Sequence, residues 1–209
     1  MSRSLEASRV DVSNHGGERR RGHFIVLVGP DGVGKTEVAR DLLRRRGGRY
    51  FHFRPPSRVG GLRDSPPTNG PPKEIHTGPF PLGPLRLLRN FLLFWSGYLA
   101  SVRPTLRAGD NVVGDRWAYG YLVQPTSLKF SGPDWLARFV IRALPKPDVV
   151  VNLEAAPETV RRRKPELTLY EIKRELDAWR TLPVERMVSV DAEPSVDLIV
   201  DRLVEQVLA

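Results

Sequence analysis

The sequence predicts a three-layer α/β sandwich: a five-stranded parallel sheet with helices on both faces. Two observations carry this. Short, nearly all-apolar runs of strand length recur along the chain, as expected of central parallel strands covered on both sides. They alternate with amphipathic stretches of helical spacing, the pattern of strands joined by crossover helices. With 209 residues, the chain suits one substantial domain better than two small ones.

Taken in order, residues 1 to 22 mix Ser, Glu, Arg and Gly without apolar periodicity. Such a segment buries too little surface to offset its ordering entropy and is expected to be a disordered basic tail, leaving 23–209 as the domain. His23 to Val28 is the first strand. Lys35 to Arg45 places Val38, Leu42 and Leu43 at helical spacing, and Gly47 and Gly48 stop it. Tyr50 to Phe53 is aromatic and β-prone, a second strand that ends before Pro55 and Pro56. From Pro55 to Pro84 proline and glycine crowd the chain, predicting an irregular loop. Leu85 to Leu106 reads as a long apolar helix with Pro104 near its end. Asn111 to Gly114 is the third strand and leads directly into Asp115. Trp135 to Leu144 is amphipathic, Val149 to Leu153 a fourth buried strand, and another helix begins after Pro157. Glu171 to Trp179 is helical, Met187 to Val190 a fifth strand, and Val196 to Val207 a closing helix.

A hydrophobic fraction of 40% and a charged fraction of 27% are ordinary for a soluble protein. No apolar run approaches the roughly 20 residues of a membrane helix, so no membrane partner is expected. The absence of cysteine excludes disulfides and thiolate metal sites. The opening residues lack the apolar core of a secretory signal, and a cytoplasmic location is the expectation. A net charge of +9 suits either nucleic acid or a small polyanion. Its arginine clusters, Arg19 to Arg21, Arg44 to Arg46 and Arg161 to Lys164, have no interleaved aromatics to stack on bases. Specific nucleic-acid binding is not expected, and each cluster also fits a solvated helix end. A homodimer is left open.

Gly29-Pro30-Asp31-Gly32-Val33-Gly34-Lys35-Thr36 satisfies the G-x-x-x-x-G-K-[ST] pattern between a predicted strand and a predicted helix. Glycines at this spacing let backbone N–H groups converge on a phosphate at a helix N-terminus. Lys35 supplies charge to the β- and γ-phosphates of ATP, and the Thr36 hydroxyl can ligate Mg²⁺. Gly29, Asp31, Gly32, Val33, Gly34, Lys35 and Thr36 form the expected ATP-binding set of a P-loop NTPase. Asp31 would be repelled by triphosphate unless it faces an acceptor or the metal, although Asp also serves commonly as a turn or cap residue. Asp115-Arg116-Trp117 follows the third strand at the sheet's carboxyl edge, where ligands bind in open α/β folds. There Asp115 can reach the metal and Arg116 can clamp an acceptor phosphate; a surface Asp-Arg pair is the structural alternative.

These residues resemble the thymidylate kinase family of nucleoside monophosphate kinases, and the likeness spans most of the chain after residue 22. The family's G-x-D-G-x-G-K-[ST] loop is matched by Gly29 to Thr36. Its Arg-Glu-Pro motif is echoed by Arg54-Pro55, and its Asp-Arg-[Tyr/Phe/His] motif by Asp115 to Trp117. Pro147 to Glu154 and Pro157-Glu158 are similar to its fourth strand and the helix start that follows. The resemblance implies acceptor binding by Asp31, Arg54, Arg116 and Trp117, and catalysis by Lys35, Asp115 and Arg116. It also implies a cationic lid at Arg161 to Lys164, with Arg163 favoured as catalytic and Arg161 next. The expected activity is ATP- and Mg²⁺-dependent phosphoryl transfer to a nucleoside monophosphate, most simply dTMP, with Thr36 and Asp115 at the metal.

Two departures bear on the acceptor. The family's Asp-Arg-x-x-His stretch is absent from the long helix, which reads Phe94-Trp95-Ser96-Gly97-Tyr98 there, aromatics that fit a base stack or the core. A proline-rich stretch replaces the glycine-rich segment after Arg-Glu-Pro. Beyond the lid, Thr168 and Glu171 have the spacing of a helix capping box. Two other functions are compatible with the residues: a kinase for a nucleoside, sugar or lipid hydroxyl, with Asp31 or Asp115 as base, and a nucleotide-dependent switch or nucleic-acid-associated ATPase.

Overall fold

β1 (Phe24–Val28) is buried at every position, which requires paired strands on both edges and packed layers on both faces. The computed structural model, which describes residues 21–53, 82–128 and 130–207, supplies both. β2 (Arg49–His52), β3 (Val112–Asp115), β4 (Val149–Glu154) and β5 (Met187–Asp191) complete a five-stranded sheet of order β2-β3-β1-β4-β5, with every pairing parallel. All carboxyl ends therefore open at one edge, and register aligns Leu27, Asp115 and His52 across three neighbouring strands.

Side-chain alternation divides the core in two. Ile25, Leu27, Val113, Val151 and Leu153 point to one face, covered by α1 (Lys35–Arg46) and α8 (Val196–Val207). Phe24, Val26, Val28, Val112 and Val150 point to the other, under α2 (Leu82–Gly97), α3 (Arg103–Arg107) and α5 (Asp134–Ala143). α6 (Pro157–Arg163) and α7 (Leu169–Arg180) follow β4, and Trp179 of α7 is fully buried in the second core. Among the described residues no helix is long and apolar enough to cross a membrane.

The expected strands and helices are present, with shifted ends. β2 and β3 begin and end differently by one residue, so Asp115 closes the strand rather than following it. Leu82 to Pro84 belong to α2 rather than to the loop; proline is tolerated in a first helical turn, where its missing N–H has no intrahelical acceptor. The single long helix is interrupted. Tyr98–Val102 forms a π-helical segment that joins α2 to α3. A 3₁₀ turn (Trp117–Tyr119) and the short α4 (Gly120–Val123) were not foreseen. Residues 1–20 of the expected tail, the candidate acceptor residue Arg54 and most of the proline-rich stretch lie outside the described residues.

Arg45 explains one arginine cluster. It bridges Asp41 of its own helix at 2.7 Å and Asp197 of α8 at 2.6 Å, tying α1 to α8. The Thr168–Glu171 capping box forms at the start of α7, with the Glu171 N–H donating to the Thr168 hydroxyl at 3.2 Å.

Candidate active site

The phosphate loop leaves β1 at Gly29, whose φ of 132° and whose 2.6 Å separation between an added Cβ and the Leu153 carbonyl oxygen admit only glycine. The chain then turns into α1 through Gly34 in a left-handed conformation. Lys35 is 7% exposed, and its ammonium donates to the carbonyls of Gly29 at 2.9 Å and Pro30 at 2.8 Å. Burial pulls its pKa down, with Asp115, Glu175 and Glu37 opposing. The loop thus carries a desolvated cation at the N-terminus of a 12-residue helix, an arrangement that favours a bound polyanion.

Asp115 ends β3 on the α1 face of the sheet. It is 6% exposed, and its Oδ2 lies 3.2 Å from His52 Nδ1 and accepts from the Tyr50 hydroxyl at 3.4 Å. Tyr50 is also hydrogen-bonded to Thr36, and burial with the nearby Asp115 charge pushes its hydroxyl pKa well up. Asp115 Oδ1 is buried and has no hydrogen-bond partner. A buried carboxylate oxygen with no donor needs one for stability, and a cation held beside Thr36 and the triphosphate would meet that need. Among the described residues no group of three acidic, His or Cys side chains could hold a metal by itself. A Mg²⁺ site that takes most of its ligands from phosphates and water fits this donor set.

Arg116 precedes the 3₁₀ turn with φ 66°, and Trp117 follows at φ 45°. Two successive non-glycine residues with positive φ are strained, a condition common at ligand sites. The turn throws the two side chains apart. Arg116 pairs with Asp31 of the phosphate loop and donates from Nη1 to Gln124 Oε1 at 2.8 Å. Trp117 turns inward. It is 2% exposed, and its ring packs edge-on against Phe53 at 4.5 Å and Phe24 at 5.4 Å. This corrects the expectation that Trp117 contacts an acceptor, since its indole is spent on the core beneath the site. Phe94 joins the same cluster at 5.0 Å.

The cationic segment after β4 lies against the loop. Arg163 Nη1 donates to the Val33 carbonyl at 3.2 Å. The Lys164 stem crosses Gly32 so closely that an added Cβ there would sit 2.5 Å from Lys164 Cγ. Lys164 Nζ is paired with Glu166 at 3.1 Å. Arg161 is exposed, and Arg162 donates to the Thr159 hydroxyl at 3.1 Å. Sequence reading placed Lys164 in the cationic lid but favoured Arg163; the glycine at position 32, which leaves room for a crossing chain, was the available signal for Lys164. It also missed Glu175, whose charge acts on both Lys35 and Arg116.

No family model matches the chain. A 50-residue stretch is 42% identical to Lon protease of Leptospira interrogans, covering 24% of this chain and only 6% of that protein. Among solved structures, thymidylate kinase from Candida albicans superposes with a TM-score of 0.57 at 18% identity, over 88% of this chain and 90% of that one. The YorR protein from Bacillus subtilis, solved in complex with phosphorylated GDP, gives 0.55 at 22% identity over 88% and 95%. Nearly whole-length agreement at such low identity establishes the architecture: the chain has a thymidylate kinase-like P-loop fold.

Proposed function

We propose that this protein transfers the γ-phosphoryl group of ATP to a nucleoside monophosphate, most simply dTMP. The observation that carries this reading is the Arg116–Asp31 pair, which ties a guanidinium at the end of β3 to the phosphate loop. A cation in that place can align an anionic acceptor with the triphosphate, and alignment with charge neutralisation is most of what phosphoryl transfer asks of a protein.

Lys35 and the loop N–H groups hold the triphosphate. Asp31 keeps Arg116 oriented until the acceptor phosphate arrives, and Arg163 lies over the loop where charge accumulates on the migrating group. Thr36 and Asp115 Oδ1 are the residues that would hold Mg²⁺, which would screen the phosphate oxygens. A phosphate acceptor is already ionised at neutral pH, so no general base is required. Thymidylate kinase from Candida albicans and the nucleotide-bound YorR protein support a nucleotide as acceptor.

A hydroxyl acceptor is the second reading, favoured by Asp115 Oδ1, which is buried without a hydrogen-bond partner and would be open to a hydrogen bond from an alcohol. ADP release measured across nucleoside monophosphates, nucleosides and sugars, with Lys35→Ala as blank, separates the two. Turnover on a monophosphate is expected. Turnover confined to alcohols selects the second reading, and silence on both overturns the kinase assignment.

A further inference from the structure

α4 has only four residues, and the chain leaves it abruptly. Gln124 is non-helical at φ −131° and ψ 59°, with its N–H donating to the Gly120 carbonyl at 2.8 Å. Pro125 cannot continue the helix. Its carbonyl accepts from Leu128 at 3.1 Å and Phe130 at 2.9 Å, which closes a tight turn. Phe130 is 4% exposed and packs edge-on against Tyr121, itself 2% exposed, at 5.8 Å. The turn is therefore anchored on both sides of Gln124.

Arg116 has two hydrogen-bond partners of opposite character, with Asp115 Oδ1 farther off at 3.9 Å from Nε. Asp31 is half exposed and sits in a loop, so it can be exchanged for an incoming anion. The amide oxygen of Gln124 is held by the anchored turn and carries no charge. A neutral acceptor fixes a guanidinium without cancelling its field, whereas a carboxylate would do both.

We infer that Gln124 is a positioning residue for acceptor binding, holding the Arg116 guanidinium toward the acceptor's anionic group while leaving its charge available. The inference rests on the phosphate-acceptor reading. It also gives a purpose to α4 and its turn, which bring the amide to the site from nine residues beyond the strand end, between Asp115 and Gln124.

Steady-state kinetics of the full chain with ATP and dTMP test it, using Gln124→Ala and Gln124→Glu. Both are expected to raise KM for dTMP, Gln124→Glu by about tenfold and by more than Gln124→Ala, with kcat and KM for ATP within about twofold of the parent. Gln124→Glu keeps the hydrogen-bond geometry, so a purely structural role predicts that it is the milder of the two. That order, or a fall in Tm with KM for dTMP unchanged, overturns the inference. A wild-type chain that phosphorylates no nucleoside monophosphate overturns the underlying reading and the inference with it, an outcome visible before any variant is made.

Discussion

The guanidinium of Arg116, at the carboxyl end of β3, forms an ion pair with Asp31 in the phosphate loop 85 residues earlier. One side chain thereby joins the phosphate loop to the carboxyl end of β3. Arg116→Lys keeps the charge but cannot reach Asp31 and Gln124 with one planar fork. KM for a monophosphate acceptor should rise about tenfold, with KM for ATP changed by less than about twofold. Equal loss on both substrates would show that Arg116 serves the donor.

Lys35 is buried without a carboxylate in hydrogen-bond range; Asp31 Oδ1 lies at 3.7 Å. Its pKa in the folded chain is below 10.5, so between those two values the unfolded chain binds more protons at this group and stability rises with pH. Lys35→Met should lose at least tenfold in ATP affinity yet be more thermostable near neutrality. The Tm gap should narrow as pH rises toward about 10.5, measured by thermal melts across alkaline buffers. A gap of the opposite sign would contradict the burial cost assigned to Lys35.

At Gly29 a methyl group would meet the backbone of β4, which cannot give way as a flexible side chain would. Gly29→Ala should cost about 2–3 kcal/mol in denaturant unfolding, from backbone strain and contact together. Unchanged stability would mean that the loop can leave β4 freely.

Lys164 is the cation that crosses Gly32, near the part of such loops that faces the terminal phosphates. Lys164→Ala should weaken ATP binding about tenfold and ADP binding by much less. Fluorescence titration with both nucleotides reads this directly, and equal losses would place Lys164 away from the γ-phosphate.

Much of this architecture is legible in the sequence for a simple reason. β1, β3 and β4 are buried on both faces, so composition alone marks them, and the glycine pattern at 29 to 34 has a single steric meaning. The phosphate loop inherits that clarity. The segment after β3 does not, because it depends on which way two adjacent residues turn: Arg116 reaches the phosphate loop and Trp117 the core through two positive-φ backbones that no periodicity encodes. Helical phase could not single out Lys164 among the lid cations, since it does not extend beyond the last turn of α6.

The π-helical segment at Tyr98–Val102 has a consequence of a different kind. Phe94 and Val102 lie in the same core cluster, and the chain takes one residue more between them than the roughly seven that two α-turns need. The helical run from 82 to 107 therefore follows two rulers, offset from each other by one position. Residue-by-residue alignment against an uninterrupted helix can be right on one side of this segment only, and a scan of substitutions along it should show its rhythm slip by about 100° midway.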